Sequence, residues 1–566
     1  MADAAADWDR TQDVDPITTE IIQSSLTAIT DEMFATMRKT AMSSIIYEVL
    51  DFGVALFDAN GDLASSGSGI PGFIGMLEPG VKAIRRKFNR PGDVEPGDIF
   101  VTNMPHFGGV SHLNDVVLIM PLFVEGEVMA WLSNKAHWVD IGGPCPGSIN
   151  PEAVDIYQEG LQLPEVKVIC AGVPNQAVLD IMTVNSRMPE TTLGDFWAGV
   201  ASMRAGEKRF QDIIGKYGKA AVAFAIEDYI ALGEANSRRL LRQLPKGEFS
   251  ATETLEDGRV LRAAIRITDD EFIADLRGNP PQSQTGLNSS YDATVVDVQM
   301  IYKAVANPQG FANSGTFKPV RVIVDEGSMF AAEYPAAMSV YYEVSMLLFD
   351  LLWKALAPTM KDAFPAGHYS SICGTFIGGP GERGRQHSIV EPQLGGWGAC
   401  HDRDGLNALY TGYHGDTFNC PVEITEQKNG LMVDRFALSE ASGGEGQYRG
   451  GKGVNLDYRI LRDDWWVTVA YTRSENGPWG LEGGLTGSTN HIVVRRASGE
   501  AERYSSCTVL PLGKDDVISV HTATGGGYGD PKDRPKEQVL EDIRNGYLTP
   551  ERALEVYGVA SWSEAP

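Results

Sequence analysis

His106, His112 and His137, three of nine histidines, fall within 32 residues of this 566-residue chain, where an even spread would place roughly half of one. The segment reads Pro105-His106-Phe107-Gly108-Gly109-Val110-Ser111-His112-Leu113-Asn114-Asp115, then two apolar runs, then Asn134-Lys135-Ala136-His137-Trp138-Val139-Asp140-Ile141-Gly142-Gly143. Imidazoles and carboxylates at this density are donors that borderline divalent ions accept, Zn²⁺, Mn²⁺ or Fe²⁺, with positions left open for water or substrate. A plainer role is histidines that cap strand ends and bond backbone carbonyls. HxxD with a distant His is a loose pattern, and both readings stay open on it.

The elements around these residues decide whether they meet. Glu125-Gly126 reads as the turn of a hairpin between Val116–Phe123 and Val128–Ser133. Residues whose numbers sum to about 251 then face each other, bringing Asp115 to Ala136 and His137 to Asn114, with Asp140 just beyond. A register change of one residue would turn His137 to the other face. Gly108, Gly109, Gly142 and Gly143 flank the cluster and allow close backbone approach. Upstream, Asp15-Pro16 opens a helix running to about Val49, with Ile17, Ile21, Leu26, Ile29, Met33, Met37 and Met42 at helical spacing. A strand at Asp51–Phe57, a turn at Asn60-Gly61, a Gly/Ser loop over 65–76 and a helix Leu77–Phe88 follow. Residues 174–245 read as mostly helical, period two sets in from Gly247, and a helix covers about 340–356. The expectation is a mixed α/β fold. Its regions are a disordered terminus 1–13, a metal-binding α/β region 14–245, a central α/β region 246–365 and a Gly-rich β region 366–566 with C-terminal helices.

Composition narrows the function classes. Hydrophobic residues make up 43% and charged residues 22%, a globular balance. Lys and Arg number 48 against 75 Asp and Glu, a formal charge of −27 that repels nucleic-acid phosphates and anionic membranes. The longest largely apolar run, Val116–Val124, is too short to span a bilayer, and the acidic N-terminus lacks the features of a secretory signal. Six scattered cysteines without a CxxC pair suit reduced thiols, and the expected location is the cytoplasm.

Phosphate-loop lookalikes fail on context. Gly67–Gly72 and Gly379–Gly384 both spell GxGxxG, a pattern that 62 glycines produce about once by chance. Pro71 interrupts the first, and no helix follows the second. Gly446-Gln447-Tyr448-Arg449-Gly450-Gly451-Lys452 begins like a Walker A loop, but Gly453 stands at the Ser/Thr position and a strand follows where a helix must start. Asp58–Asp62 lacks the Gly and Glu of a calcium loop. There is no GxSxG elbow, and His414-Gly415-Asp416 reads as a solvated loop with a pocket-lining role as the alternative.

Several ordered motifs together carry a resemblance. They are Asp51-Phe52 with Ala55-Leu56-Phe57-Asp58-Ala59-Asn60-Gly61-Asp62-Leu63; Pro96-Gly97-Asp98-Ile99-Phe100; Gly108-Gly109 with His112-Leu113-Asn114-Asp115; Ala136-His137; and Asp140-Ile141-Gly142-Gly143. Pro146-Gly147-Ser148, Gln158-Glu159-Gly160-Leu161, Asn419–Ile424, Ser442–Gly453 and Gly525–Pro531 continue the series. From about Asp15 to Ala560 the chain resembles the B-type component of the hydantoinase/oxoprolinase family, a group that includes N-methylhydantoinase B-like and caprolactamase subunits and is related to acetone and acetophenone carboxylases.

The resemblance implies an ATP-dependent hydrolase that opens cyclic amides such as hydantoins, 5-oxoproline or lactams. It acts with an ATP-binding hydantoinase A-type component of actin-like fold, in a hetero-oligomer such as A2B2, with ATP and Mg on the partner. A divalent metal, zinc before manganese or iron, is implied in this chain on His112, Asp115 and His137, with Asp51 as a fourth ligand. Phosphorylation of the amide oxygen on the partner would activate the ring. A water whose pKa the metal lowers would then attack, with Asp140 as base or as acceptor of an imidazole N–H. Many members have a second His where this chain has Trp138, and a Thr at Ser111. Two alternatives are a subunit of an ATP-dependent ketone carboxylase and a non-catalytic scaffold for the ATPase.

Overall fold

A seven-stranded sheet carries the histidine hairpin in the computed structural model, which describes residues 14–381, 386–415 and 417–560. The terminus 1–13, expected to be disordered, lies outside the described residues. The strands are β1 (Phe52–Asp58), β2 (Leu63–Gly69), β3 (Ile99–Thr102), β4 (Asp115–Val124), β5 (Glu127–His137), β6 (Val166–Cys170) and β7 (Val173–Pro174). Their spatial order is β2-β1-β5-β4-β3-β6-β7.

Six helices surround this sheet: α1 (Pro16–Thr40), α2 (Ser44–Tyr47), α3 (Pro71–Lys87), α4 (Gln176–Asn185), α5 (Pro189–Tyr217) and α6 (Lys219–Leu241). On one face Val54, Leu56, Leu118 and Leu132 pack with Leu26 and Met33 of α1 and Phe196 and Met203 of α5. On the other, Ala55, Phe57, Val117, Ile119 and Trp131 pack with Leu77, Val81 and Ile84 of α3. Helices on both faces explain why β4 is apolar after Asp115 rather than alternating and why β5 is buried from Met129 onward.

The hairpin turn falls at Glu125-Gly126, both at positive φ (54° and 84°) as a two-residue turn of matching twist requires. The expected pairing sum of 251 holds only at the tip, where Phe123 faces Val128. A bulge then leaves Met129 unpaired, and from Leu122↔Ala130 onward the sum is 252. Asp115 is thereby opposite His137 itself, on the same face of the sheet.

Two further expectations need correction. The first helix stops at Thr40 rather than near Val49, because the Asp195 carboxylate of α5 accepts from Met42 N (2.8 Å) and Ser43 N (3.1 Å) and Ala41 is extended. The loop expected over 65–76 is instead the end of β2 and the start of α3, with Pro71 in the first turn, where it needs no N–H donor. Its glycines serve contact rather than flexibility: a Cβ on Gly72 would meet the Tyr413 ring at 2.3 Å, and one on Gly75 would meet Val296 at 2.7 Å.

The central residues form a four-stranded sheet in the order Val320–Ile323, Phe272–Asp275, Val260–Ile267, Gly247–Thr254. Leu261 and Ile265 of that sheet share a core with Val298 and Ile301 of α7 (Tyr291–Ala306) and with Leu348 and Leu352 of α8 (Tyr341–Leu356). Every residue of α8 except Lys354 is buried. The C-terminal residues build a sandwich. One sheet runs Gln386–Glu391, Thr375–Pro380, Trp465–Ala470, Ser506–Leu512, and the other runs Leu431–Leu438, Val454–Ile460, Val517–His521, His491–Arg495, Ala501–Tyr504. Ile377, Ile389 and Val467 of the first meet Leu456, Ile492 and Ile518 of the second. The fold is mixed α/β, and Phe376, Val390 and Trp466 join the same core as the helix side of the first sheet. Among the described residues no helix is long and apolar enough to cross a membrane.

Candidate functional site

Three neighbouring strands place a row of donors at one end of the first sheet. Phe52 pairs with Ala136, so Asp51, one residue earlier, comes opposite His137, whose N–H donates to the Asp51 carbonyl at 3.2 Å. Asp115 completes the row on the other side of His137. His112 comes from the loop between β3 and β4. Gly109 (φ 66°) presses that loop onto α3, where a Cβ would stand 2.2 Å from Gly80 N. Asn103 holds the loop from inside by donating to Leu113 O (2.9 Å) and Leu161 O (2.8 Å) and accepting from Leu163 N (2.7 Å).

These four side chains line one cavity of ≈ 30 Å³, roofed by Phe73 of α3, Tyr341 and Tyr342 of α8, Phe376 and His414. The His112 and His137 ring centroids are 5.2 Å apart. His112 Nδ1 lies 3.0 Å from Ser339 O. A carbonyl only accepts, so Nδ1 carries a proton, and Nε2 stands 3.3 Å from Asp115 Oδ1. The pair is stable with a proton on Nε2 or with a cation between the two atoms.

Lys135, two residues before His137 and therefore on the same face, is fully buried with Nζ 3.1 Å from Asp115 Oδ2 and 4.0 Å over the Phe73 ring. Ser111 Oγ bridges the pair, accepting from Lys135 and donating to Asp115 Oδ2 at 2.5 Å. Burial works against the Asp115 charge, but Lys135 and the His112 ring hold its carboxyl well below the usual carboxylate range. Burial, then the Asp115 charge, push Asp51 the other way, well above it. Burial takes His137 down to about 3 and His414 down to about 4. Both rings are thus neutral near pH 7, the form that ligates metals.

Besides the Tyr342 hydroxyl, four buried atoms lining the cavity have no hydrogen-bond partner: Asp51 Oδ1, Asp115 Oδ1, His137 Nδ1 and His414 Nδ1. Such orphans are rare in folded proteins, and their chemistry, two carboxylates and neutral imidazoles, fits a divalent cation. Among the described residues no three His, Cys, Asp or Glu side chains could hold an ion as they stand. The donors face one cavity without closing on one point, and closure round an ion would take side-chain rotation.

The structure brings Asp51, His112, Asp115 and His137 together. It places Asp140 elsewhere, off the cavity lining, with both oxygens engaged: Oδ1 accepts from Gly142 N (3.1 Å) and Arg187 N (3.0 Å), Oδ2 from Gly147 N (3.0 Å) and Arg187 Nη1 (2.9 Å). Asp140 bonds no imidazole and pins the loop after β5. His106 also stands apart, beside Phe107 and Tyr334 at a surface groove. His414 is buried in the cavity wall rather than in a solvated loop; Asp416 lies outside the described residues. Lys135, Tyr341 and Tyr342 are site residues that motif spacing does not single out. Only Lys135 has a local signal, a lysine in an apolar strand at an even spacing from His137.

The hydantoinase B/oxoprolinase family model matches residues 15–531. The B component of a putative D-/L-hydantoinase from a Pseudomonas species is 31% identical over 574 residues, covering 96% of this chain and 95% of that one. The crystal structure of ATP-dependent caprolactamase from Pseudomonas jessenii superposes with a TM-score of 0.91 at 27% identity over 98% of each chain. Acetone carboxylase in its nucleotide-free structure shares the fold, with a TM-score of 0.88 at 20% identity over 96% of this chain and 79% of that one. A match over nearly the whole length, on a fold whose motif residues converge at one end of a sheet, establishes that the chain belongs to the hydantoinase B/oxoprolinase family.

Proposed function

We propose that this chain is the metal-binding B-type component of a cytoplasmic, ATP-dependent cyclic amide hydrolase. It works with a separate ATP-binding chain in a hetero-oligomer such as two copies of each. The observation that carries this reading is the set of orphaned buried donors on Asp51, Asp115 and His137 around one cavity. Likeness to caprolactamase and to a hydantoinase component supports the substrate class.

His112, His137, Asp115 and Asp51 would hold the ion, zinc before manganese or iron. When bound, it supplies positive charge for a developing oxyanion and lowers the pKa of a water. Lys135 and Ser111 occupy Asp115 Oδ2 and leave Oδ1 to the cavity. The Tyr342 hydroxyl is buried in the lining without a partner, and burial holds it protonated, so it is a donor for an amide oxygen or the leaving nitrogen. Phe73, Tyr341 and Phe376 give the cavity its aromatic walls. A cavity of ≈ 30 Å³ has room for an ion or a water, so a ring would enter only as the roof side chains move. ATP with its Mg acts on the partner, activating the amide before ring opening.

The test is elemental analysis of the purified chain and its His112→Ala variant, followed by lactam and hydantoin turnover with ATP in the complex. About one Zn, Mn or Fe per chain, lost in the variant, is expected. His137→Ala should slow ring opening by on the order of 100-fold or more. Ring opening by His137→Ala at the wild-type rate would sink the reading. Bicarbonate-dependent consumption of a ketone would replace it with carboxylation.

A further inference from the structure

Glu159 belongs to the motif Gln158-Glu159-Gly160-Leu161 and stands just after the short 3₁₀ turn Ile156–Gln158, buried. Its Oε1 accepts from two consecutive backbone N–H groups, Met338 at 2.5 Å and Ser339 at 2.6 Å. The same segment is held at two more points, where Ile156 N donates to Pro335 O (2.9 Å) and Ser339 Oγ donates to Asn150 O (2.6 Å). Its exit is the first residue of α8, Tyr341, which lines the cavity. Between the two, Ser339 O is the acceptor for Nδ1 of His112.

We infer that Glu159 is a positioning residue for His112: it fixes the backbone of Met338 and Ser339 through their N–H groups, and the Ser339 carbonyl that follows turns the imidazole so that Nε2 faces Asp115 and the cavity. The arrangement is the one that tunes metal-ligating histidines generally, a second acceptor on the non-ligating nitrogen setting tautomer and ring orientation. Without Glu159 the N–H groups of Met338 and Ser339 would be left buried and unpaired, a state costly enough to move the segment. Burial pushes the Glu159 carboxyl up to about 8, against the pull of those two N–H groups. Near neutrality it carries a proton, and glutamine is a close mimic of that form.

This inference rests on the reading of the cavity as a metal site, and the experiment separates the two. Zn²⁺ affinity is measured by chelator competition on the intact complex carrying wild-type chain, Glu159→Ala or Glu159→Gln, with thermal unfolding of each. Glu159→Ala should bind Zn²⁺ about 10–100-fold more weakly, and Glu159→Gln, which keeps the single acceptor, should recover most of that loss. Equal affinity in Glu159→Ala, or a Gln variant as weak as Ala, overturns the proposal. If the wild type binds none of Zn²⁺, Mn²⁺ and Fe²⁺, the metal reading fails, and crystal structures of wild type and Glu159→Ala decide the positioning role. The His112–Ser339 contact should be lost in the variant, and its survival overturns the inference. Should Glu159→Ala not fold, Glu159→Asp, which retracts the carboxylate by one methylene, takes its place in both measurements.

Discussion

The cavity and the Gly-rich segments 404–407, 441–453 and 525–542, which lie outside the strands of the C-terminal sandwich, are both polar and both built from ordered motifs, yet they treat hydrogen bonding in opposite ways. In these segments all five N–H donors of Arg534 are used, on Asp404 (2.8 and 2.9 Å), Asp542 (3.0 and 2.7 Å) and Gln447 O (3.0 Å). Arg449 reaches Asp542 at 3.1 Å, and Lys452 donates to Ala441 O at 2.6 Å. Backbones there touch: a Cβ on Gly451 would stand 1.8 Å from Leu406 O, and one on Gly450 would stand 2.0 Å from Gly525 O. At the cavity, Asp51, Asp115, His137 and His414 each leave an atom unpaired. Full pairing marks a region that holds the chain together; unpaired buried polar atoms mark a place where stability has been given up for chemistry. The P-loop lookalike Gly446–Lys452 belongs to the first kind.

Three substitutions would break or sharpen this contrast. Gly451→Ala forces a methyl into a backbone carbonyl and should cost about 3 kcal/mol or more in unfolding free energy by denaturant titration. Zn²⁺ affinity of the fraction that folds should be unchanged. Arg534→Ala takes their main partner from Asp404 and Asp542, leaving them Arg449, and should cost about 2 kcal/mol, less than a fully buried pair because Asp404 is partly exposed. Asp51→Asn replaces a buried, poorly paired carboxyl and should stabilise the chain by roughly 0.5–1 kcal/mol while metal content and turnover fall. A marked loss of stability in Asp51→Asn would mean that its carboxylate is structural, and the contrast would fail.

The hairpin, its turn and the approach of Asp115 to His137 were legible in sequence because strand period and turn chemistry are local. The bulge at Met129 was not, since nothing in the residue string says which position a strand leaves unpaired. Gly67–Gly75 read as a loop because glycine breaks helices in isolation, whereas here Gly72 and Gly75 make room for Tyr413 and Val296 from distant segments. Tyr341, Tyr342 and His414 reach the cavity from more than 200 residues beyond His137 and carry no local sign of it. Asp140 looked chemical from its neighbours, but the loop's own N–H groups and Arg187 claim all of it.

The bulge at Met129 also bears on how this gene tolerates insertions and deletions. Losing the codon for Met129 removes the unpaired residue and leaves Leu122↔Ala130 and every pair up to Asp115↔His137 in place. Losing the codon for Ser133, beyond the bulge, has no such slack to draw on. It would carry one end of the strand past its neighbours β1 and β4 and turn Lys135 and His137 towards the α1 side of the sheet. Length variation is thus cheap at the hairpin tip and ruinous at its mouth, although the two lie only a few codons apart.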